Sequence, residues 1–269
     1  MSATLLAALS LLAALGLAFA WLAARHRAAG LRVQLDASNA ELEHLQRACS
    51  RLAPDGVVQR LIDAGAGAVG ADPMQPERKV ATALFADLVG YTALSERLDP
   101  ATLARVLNGY FQHMSDAIHE HRGHVSTFLG DGILAYFGAV RPDPWHCRDA
   151  VSAALAMRAA IVDYNRELAL EGVPPVAVGI GIHSGPGLAG LIGSRERMEF
   201  AFVGRTVNIA ARVQGLTRVH GVDILVTEDV RAGLGDAFVL EAMPAEQVKG
   251  IADRVVTYAV RERSSGVHG

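Results

Sequence analysis

The sequence predicts an α+β protein with a ferredoxin-like, split βαβ and palm-like sheet, preceded by a transmembrane helix and a short coiled coil. Three observations support this prediction. An uncharged apolar run opens the chain, a heptad of leucines follows it, and strand and helix patterns then alternate through residues 78–262. The alternation runs β-α-β-β-α-β with a second α-β tail, which is the order of a split βαβ fold.

Composition narrows the class of protein. The 269 residues carry a net charge of −3, so the overall charge does not favour nucleic-acid binding. Hydrophobic residues make up 51% of the chain and the mean hydropathy is +0.25, an excess concentrated at the N-terminus. Cys49 and Cys147 lie far apart and in no ligand cluster. They fit a reducing compartment and argue against a disulfide scaffold or a zinc site.

Residues 1–24 are predicted to form a transmembrane helix. The segment Ala3–Ala24 contains no charged residue and is long enough to span a hydrocarbon core. Basic residues follow it at once, at Arg25 and Arg27, whereas none precedes it. The positive-inside rule therefore predicts a single-pass protein of the cell membrane, with the rest of the chain in the cytoplasm. A cleaved signal peptide is the alternative, because Ala18-Phe19-Ala20 resembles a cleavage site, but the basic n-region is missing.

Residues 25–53 are predicted to form a coiled coil. Heptad positions a and d are filled by Ala28, Leu31, Leu35, Ser38, Leu42, Leu45, Cys49 and Leu52. This narrow apolar seam is typical of a short coiled coil, although one amphipathic helix packed on its own domain would show the same pattern. Residues 54–77 are predicted to be a short helix and a linker, and residues 263–269 a C-terminal tail.

Within residues 78–262, each element is predicted from its periodicity. In chain order these elements are a strand at Val80–Phe85, a helix at Thr92–His121, a hairpin of Val125–Leu129 and Ile133–Phe137, a helix at Cys147–Leu170, a strand at Val176–His183 turned by Gly185-Pro186-Gly187, a strand at Met198–Val203, a helix at Thr206–Val219, and strands at Ile224–Val226, Phe238–Ala242 and Val255–Val260. The split βαβ order makes the first strand a neighbour of the hairpin in the sheet.

Two aspartates stand at the ends of these predicted strands. Asp87 follows the first strand, and Asp131 lies at the tip of the hairpin in Gly130-Asp131-Gly132. The topology therefore predicts that the two carboxylates face each other, although they are far apart in sequence. Paired carboxylates, with the backbone carbonyl of Leu88 as an added oxygen ligand, suit Mg²⁺, which usually accompanies a nucleotide phosphate. Taken singly, each Asp would more commonly be a turn or helix-cap residue.

Asn208 and Arg212 lie four positions apart on the helix predicted after Gly204. This spacing places both residues on one face of the helix. Arg212 could donate a forked pair of hydrogen bonds to a phosphate in its transition state, and Asn208 could fix the geometry of a ribose. The same spacing is common on a solvated helix face, so it does not by itself distinguish the two interpretations.

Four ordered motifs resemble the class III nucleotidyl cyclases, the family of adenylyl and guanylyl cyclases. They are Phe85-Ala-Asp87-Leu-Val-Gly90-Tyr91-Thr92, Gly130-Asp131, Val203-Gly204-Arg205-Thr206-Val207-Asn208-Ile-Ala-Ala-Arg212 and Val248-Lys249-Gly250. The resemblance covers about residues 78 to 262. It implies conversion of ATP or GTP to a 3′,5′-cyclic nucleotide and pyrophosphate.

The resemblance also implies a shared active site. Catalytic domains of this family form head-to-tail dimers whose active sites lie at the interface. Asp87 and Asp131 of one subunit are expected to bind two Mg²⁺ or Mn²⁺ ions. Asn208 and Arg212 of the partner subunit are expected to hold the ribose and to stabilise the transition state. Lys249 is expected to contact the triphosphate.

The chain departs from the family at the positions that read the base. Thr127 replaces the usual Lys four positions before the second metal Asp, and Ala201 replaces the usual Asp or Thr seven positions before Asn208. Guanylyl cyclases typically carry a Glu and a small residue or Cys there, and this chain has neither. A purine edge left unpaired in a dry pocket costs about 1–3 kcal/mol per group, which predicts weak base discrimination. Arg205 replaces the acidic residue common after Gly204.

Three functions fit these features. The first is an adenylyl cyclase, the second a cyclase that prefers GTP or has little base preference, and the third a non-catalytic cyclase homology module for signalling. Retention of all four polar residues of the motifs disfavours the third. A diguanylate cyclase is disfavoured because no GGDEF-like run appears at the hairpin. The expected partners are ATP or GTP, a second copy of the chain, the membrane, and an unidentified membrane regulator.

Overall fold

The computed structural model describes residues 75–194, 198–247 and 254–263. The predicted transmembrane helix (1–24), the predicted coiled coil (25–53), almost all of the predicted linker (54–77) and Lys249 lie outside the described residues. No helix in the described ranges is long and apolar enough to cross a membrane. The predictions for the N-terminal segments therefore remain predictions.

Ten strands and five helices form the described part of the chain. The strands are β1 Glu77–Val89, β2 His124–Leu129, β3 Gly132–Phe137, β4 Ala177–Gly193, β5 Met198–Val203, β6 Ile224–Thr227, β7 Phe238–Ala242, β8 Glu246–Gln247, β9 Arg254–Val255 and β10 Thr257–Arg263. The helices are α1 Tyr91–Arg97, α2 Pro100–Glu120, α3 His146–Leu170, α4 Arg205–His220 and α5 Glu228–Arg231.

The main sheet has the strand order β2-β3-β1-β4-β6-β10-β7, and β5 pairs with the distal half of β4. Its first four strands are antiparallel and follow the split βαβ order, whereas β4 and β6 are parallel. This mixed sheet confirms the predicted α+β class. The order also makes β1 and β3 direct neighbours, which is the arrangement the two aspartates require.

The two faces of the sheet carry different layers. Alternate residues of β1, namely Leu84, Ala86 and Leu88, belong to the large core that contains α2 and α3. On the opposite face, α4 packs against β4 and β1. The contact with β4 is unusually close, because a Cβ atom at Gly181 would lie 2.1 Å from the backbone nitrogen of Gln214. Only glycine at position 181 therefore allows α4 to approach β4 this closely.

Several predicted elements are wrong in their bounds. The first strand extends over Glu77–Val89 rather than Val80–Phe85, so Asp87 lies within β1, opposite Gly179 of β4, and does not follow the strand. The single helix predicted for Thr92–His121 is two helices, α1 and α2, because Pro100 disfavours helical geometry at the residue before it. Asp99 instead takes an extended conformation and caps α2 by accepting hydrogen bonds from the next two backbone N–H groups. The turn predicted at Gly185-Pro186-Gly187 is absent. Strand β4 runs straight through it, with Pro186 opposite Val80 of β1.

Candidate active site

Asp87 and Asp131 are brought together by the pairing of β1 with β3. Ala86 lies opposite Ile133, so the next residue of β1 lies beside the turn that precedes β3. That turn consists of Gly130 and Asp131, and it relies on the positive φ of 64° at Gly130, which favours glycine. The neighbours of Asp87, Ala86 and Leu88, point into the α2–α3 core. The Asp87 carboxylate therefore faces the side of the sheet that carries α4.

The environment of Asp87 disfavours its charged form. Burial raises the pKa of Asp87 to about 6, and a side-chain hydrogen bond with Asp131 and the negative charge of Asp131 add to the rise. The positive charge of Arg218 acts in the opposite direction. Two carboxylates this close repel each other unless a proton or a cation lies between them, which is the property expected of a divalent cation site.

Arg218, near the C-terminal end of α4, is a part of this site that the motifs did not predict. Its Nη2 donates a hydrogen bond to Oδ2 of Asp87 at 2.8 Å and another to the carbonyl oxygen of Leu88 at 3.2 Å. The Arg218 side chain is 54% exposed and that of Asp87 is 24% exposed. The guanidinium thus contacts both of the β1 oxygen atoms that were predicted from the sequence to be metal ligands.

Tyr110 of α2 is a second neighbour that the sequence did not identify. The residue is fully buried, and its hydroxyl has no hydrogen-bond partner among the described residues. Burial and the negative charges of Asp87 and Asp131 raise the pKa of the Tyr110 hydroxyl. Its spacing of four from Val106 and from Met114 places it on the buried face of α2, which was a signal available in the sequence.

The helix that carries Asn208 and Arg212 is held firmly against the sheet. Thr206 donates from Oγ1 to the carbonyl oxygen of Pro186 at 2.8 Å, which ties the start of α4 to β4. Asn208 is exposed and Arg212 is partly buried. Within the described ranges neither side chain makes a hydrogen bond or an ion pair. No residue in the described ranges therefore satisfies either side chain.

The two predicted base-reading positions lie on different strands. Thr127 lies on β2, partly buried, and Oγ1 donates only a long 3.4 Å hydrogen bond to the carbonyl oxygen of Phe128. Ala201 lies on β5, opposite Gly190 of β4. Ring contacts from Phe200 and Phe202 bring β5 against the β2–β3 hairpin.

Arg205, the other departure from the family pattern, lies exposed at the first residue of α4. Its charge helps to lower the pKa of the buried His183, whose imidazole is disfavoured as a cation mainly by burial. His183 also forms a hydrogen bond of 2.8 Å with Thr227 through Nδ1. Arg205 therefore acts electrostatically on the sheet beneath α4 and contacts neither aspartate of the pair.

Large apolar side chains are exposed around the hairpin and the β4–β5 arm. Five of them are 40% to 52% exposed, namely Phe128, Leu129, Leu188, Met198 and Val203. Exposed apolar residues that cluster on adjoining elements commonly mark a protein–protein interface. These residues are candidates for a surface that a second subunit covers.

The residues present fit a divalent cation. Asp87, Asp131 and the carbonyl oxygen of Leu88 supply only hard oxygen ligands, and the Leu88 and Asp87 oxygens already accept from one cationic group. No group of three or more His, Cys, Asp and Glu side chains in the part of the chain that the structure describes is arranged to hold a metal. Mg²⁺ bound by one or two carboxylates usually keeps several water ligands, so such a small set of protein ligands is compatible with it.

Comparison with known proteins places the chain in a family. Residues 73–262 match the family model described as the adenylate and guanylate cyclase catalytic domain. The chain therefore belongs to the family of class III nucleotidyl cyclase catalytic domains, whose members generally use divalent metal ions. This confirms the resemblance inferred from the four motifs.

Individual relatives carry different names. The adenylate cyclase of Anabaena cylindrica is 35% identical over 187 residues, a match that covers 67% of this chain and 36% of that protein. The guanylyl cyclase Cya2 has a crystal structure with a TM-score of 0.68 and 33% identity, which covers 72% of this chain and 97% of that one. The adenylyl cyclase CyaB from P. aeruginosa has a TM-score of 0.66 and 26% identity, covering 72% of this chain and all of that one. The chain spans about a third of the length of the curated relatives it matches.

Proposed function

We propose that this protein is an adenylate cyclase that converts ATP to 3′,5′-cyclic AMP and pyrophosphate at the interface of a homodimer. The observation that carries the proposal is the pair formed by Asp87 and Asp131, held face to face by β1 and β3 in a domain of the cyclase family. The curated relatives named adenylate cyclases support the choice of reaction.

In this proposal the triphosphate binds at the carboxylate pair. Asp87, Asp131 and the carbonyl oxygen of Leu88 would hold two Mg²⁺ or Mn²⁺ ions. When bound, these ions supply Lewis acidity that makes the ribose 3′-hydroxyl easier to deprotonate and neutralises charge on the phosphates. Tyr110 and the apolar side chains of β1 exclude water from beneath the pair, which strengthens its electrostatic interactions.

The chain's own cationic and amide groups act on the other side of the nucleotide. The 3′ oxygen forms a bond to the α-phosphorus while the bond from that phosphorus to the bridging oxygen breaks, and pyrophosphate leaves. Asn208 would orient the ribose for this attack, and Arg212 would donate to the α-phosphate oxygens as their charge redistributes. Lys249 would bind the triphosphate. The support for Asn208 and Arg212 is that both side chains are without ionic partners in the described ranges.

A homodimer would bring the two halves of the site together. The exposed apolar side chains on the hairpin and the β4–β5 arm support such an interface, because a second subunit would remove them from water. Asp87 and Asp131 of one subunit would then face Asn208 and Arg212 of the partner subunit.

A guanylyl cyclase is the second candidate. It is favoured by the 33% identity to the guanylyl cyclase Cya2, which is close to the identity shared with the adenylate cyclase of Anabaena cylindrica. Thr127 and Ala201 do not distinguish the two candidates, because they provide neither the charged partner typical of adenylyl cyclases nor the Glu typical of guanylyl cyclases.

The membrane anchor and the coiled coil complete the proposal for the whole protein. Residues 1–24 would anchor the chain in the cell membrane with the catalytic domain in the cytoplasm, and residues 25–53 would pair two chains in parallel. Dimer geometry would then control activity, and an unidentified membrane protein would supply any external signal. Inserting one residue near Glu43 is expected to change activity strongly, whereas inserting seven restores the heptad and changes it little.

The decisive test is product formation by the full-length chain. The purified protein is incubated with ATP or with GTP, each with Mg²⁺ or Mn²⁺, and cyclic nucleotides are separated by chromatography. Cyclic AMP from ATP is the expected product, and Asp131→Asn is the matched inactive control. Faster formation of cyclic GMP would favour the guanylyl cyclase. No product from either nucleotide would favour a non-catalytic signalling module.

A further inference from the structure

Arg218 shares its acceptors with the expected metal ion. Its Nη2 lies 2.8 Å from Oδ2 of Asp87 and 3.2 Å from the carbonyl oxygen of Leu88. A metal ion bound to these two oxygens would occupy the space of that nitrogen, because both cations must approach the same lone pairs. Simultaneous binding would also place two positive charges side by side.

The side chain can leave while the helix stays in place. Arg218 is 54% exposed, so its long stem can rotate into solvent without disturbing the core. The backbone of α4 cannot shift as easily, since Gly179 and Gly181 of β4 allow it to pack in direct contact with the strand. The Arg218 side chain can therefore change its rotamer while α4 stays packed against β4.

Arg218 and Arg212 have separate tasks on the same helix. Six residues of an α-helix turn the direction of a side chain by about 600°, so the two side chains diverge by about 120°. Arg218 reaches the aspartate of its own chain, whereas Arg212 makes no ion pair within the described ranges. The catalytic proposal for Arg212 therefore does not account for Arg218.

We propose that Arg218 is a tethered cation that competes with the metal ion for Asp87 and Leu88 and must be displaced before the ion binds. The inference rests on the proposed function, because it takes these two residues as metal ligands. By holding the carboxylate when no ion is bound, Arg218 reduces the repulsion within the aspartate pair. It also raises the metal concentration that is required to load the site.

Direct measurement of metal binding tests this proposal. Mn²⁺ binding to the full-length protein is followed by electron paramagnetic resonance, with and without a non-cyclisable ATP analogue, for the wild type and for Arg218→Gln. The variant is expected to bind Mn²⁺ about three- to tenfold more tightly, since exposed ion pairs contribute modestly and a repulsive charge is also removed. Arg218→Lys is expected to lie between the two, because it keeps the charge but loses the forked geometry.

Thermal unfolding provides an independent measurement. In EDTA, Arg218→Gln is expected to unfold at a lower temperature than the wild type, and in saturating Mn²⁺ the two are expected to unfold together. Arg105→Gln is the matched control, because Arg105 of α2 is about as exposed as Arg218 and forms an ion pair with Glu171, which directly follows α3. It is expected to leave Mn²⁺ affinity unchanged.

The outcomes separate the two proposals. Unchanged or weaker Mn²⁺ binding by Arg218→Gln would overturn the inference, since Arg218 would then be a surface ion pair or an orienting group for Asp87. A wild type that binds no Mn²⁺ even with the ATP analogue, while remaining folded, would overturn the proposed function. If the wild type binds Mn²⁺ and Arg218→Gln binds it more tightly, both proposals are supported.

Discussion

The two polar parts of the candidate site, the Asp87–Asp131 pair and the Asn208–Arg212 face of α4, differ in how many partners their own chain provides. Asp87 lies within β1, two residues before its end, and Asp131 lies in a tight turn. Both are partly buried, with Arg218 and Tyr110 close to them. The Asn208–Arg212 face of α4 has no ionic or hydrogen-bonding partner in the described ranges. A carboxylate pair that is partly buried needs compensation from its own chain, whereas a single cation beside an exposed amide can remain solvated until a ligand arrives.

The same helix takes part in both halves. Its Arg218 satisfies the carboxylate half within one chain, and its Arg212 points about 120° away. This division is what a site shared between two identical subunits requires, because each chain must supply one complete half of each type. Changing one half at a time therefore tests whether the halves belong to different chains.

The largest loss of activity is expected when one residue of either half of the site, Asp87 or Arg212, is replaced. Asp87→Asn and Arg212→Ala are each expected to lower kcat at least about 10²- to 10³-fold, because each removes electrostatic stabilisation of the reacting phosphate. Mixing the two variants is expected to restore about a quarter of the wild-type activity, since half of randomly paired dimers are mixed and each has one intact site. Cyclic nucleotide formation after co-refolding or co-expression measures this recovery. A mixture as inactive as its components would place both residues in a site within one chain.

A second test moves the shared helix itself. Gly181→Ala places a Cβ atom against the backbone of α4, so it is expected to lower the free energy of unfolding by about 1–3 kcal/mol or more and to reduce activity. Gly215→Ala is the matched control, because a Cβ atom there meets nothing within 4 Å. It is expected to stabilise the protein by about 0.5–1 kcal/mol. Urea denaturation measures both, and equal effects would mean that the contact between α4 and β4 is not critical.

The pH dependence of stability tests the carboxylate pair, Asp87 and Asp131. The pKa of Asp87 is raised to about 6, so the folded state holds this proton more tightly than the unfolded chain does. In EDTA, the contribution of Asp87 to stability is therefore expected at low pH and is lost as the pH rises through about 6. Asp87→Asn is expected to remove this component, so the difference between wild type and variant should change between about pH 4, where the unfolded chain loses this proton, and about pH 6, where the folded state loses it.

The same group links pH to metal binding in the opposite direction. Asp87 must lose its proton before it binds a cation, so Mn²⁺ affinity is expected to fall as the pH drops below about 6, with proton release on binding. Calorimetry in buffers of different ionisation enthalpy measures that release. Affinity that stays constant from about pH 5 to about pH 7.5 would contradict the role of Asp87 as a ligand.

The smallest effect is expected at Tyr110. Tyr110→Phe removes a buried hydroxyl that has no hydrogen-bond partner in the described ranges, so stability is expected to change by less than about 1 kcal/mol, or to rise. Tyr164→Phe is the comparison, because the Tyr164 hydroxyl donates to the carbonyl oxygen of Val106 at 2.8 Å and its loss removes a buried hydrogen bond. A larger loss for Tyr110→Phe than for Tyr164→Phe would show that the Tyr110 hydroxyl supports the aspartate pair.

Much of this architecture could be predicted from local patterns. The strand and helix order was sufficient to predict β1 beside the β2–β3 hairpin, and hence the meeting of Asp87 with Asp131. The break before α2 was missed, although Asp99-Pro100 is a recognisable start signal for a helix. The continuation of β4 through Pro186 was missed because glycine and proline favour turns locally, and only pairing with β1 overrides that preference.

By itself, the sequence determined the cyclase family, through its resemblance to the family motifs, and most of the order of the elements, through periodicity along the chain. It also predicted which residues would bind a metal, a ribose and a phosphate, and these assignments remain predictions. Only the tertiary structure decided that Arg218 reaches Asp87 and Leu88, because that contact depends on how closely α4 packs on β4. It also decided the raised pKa of Asp87, since burial and the proximity of Asp131 are set by the packing of segments that are distant in the chain.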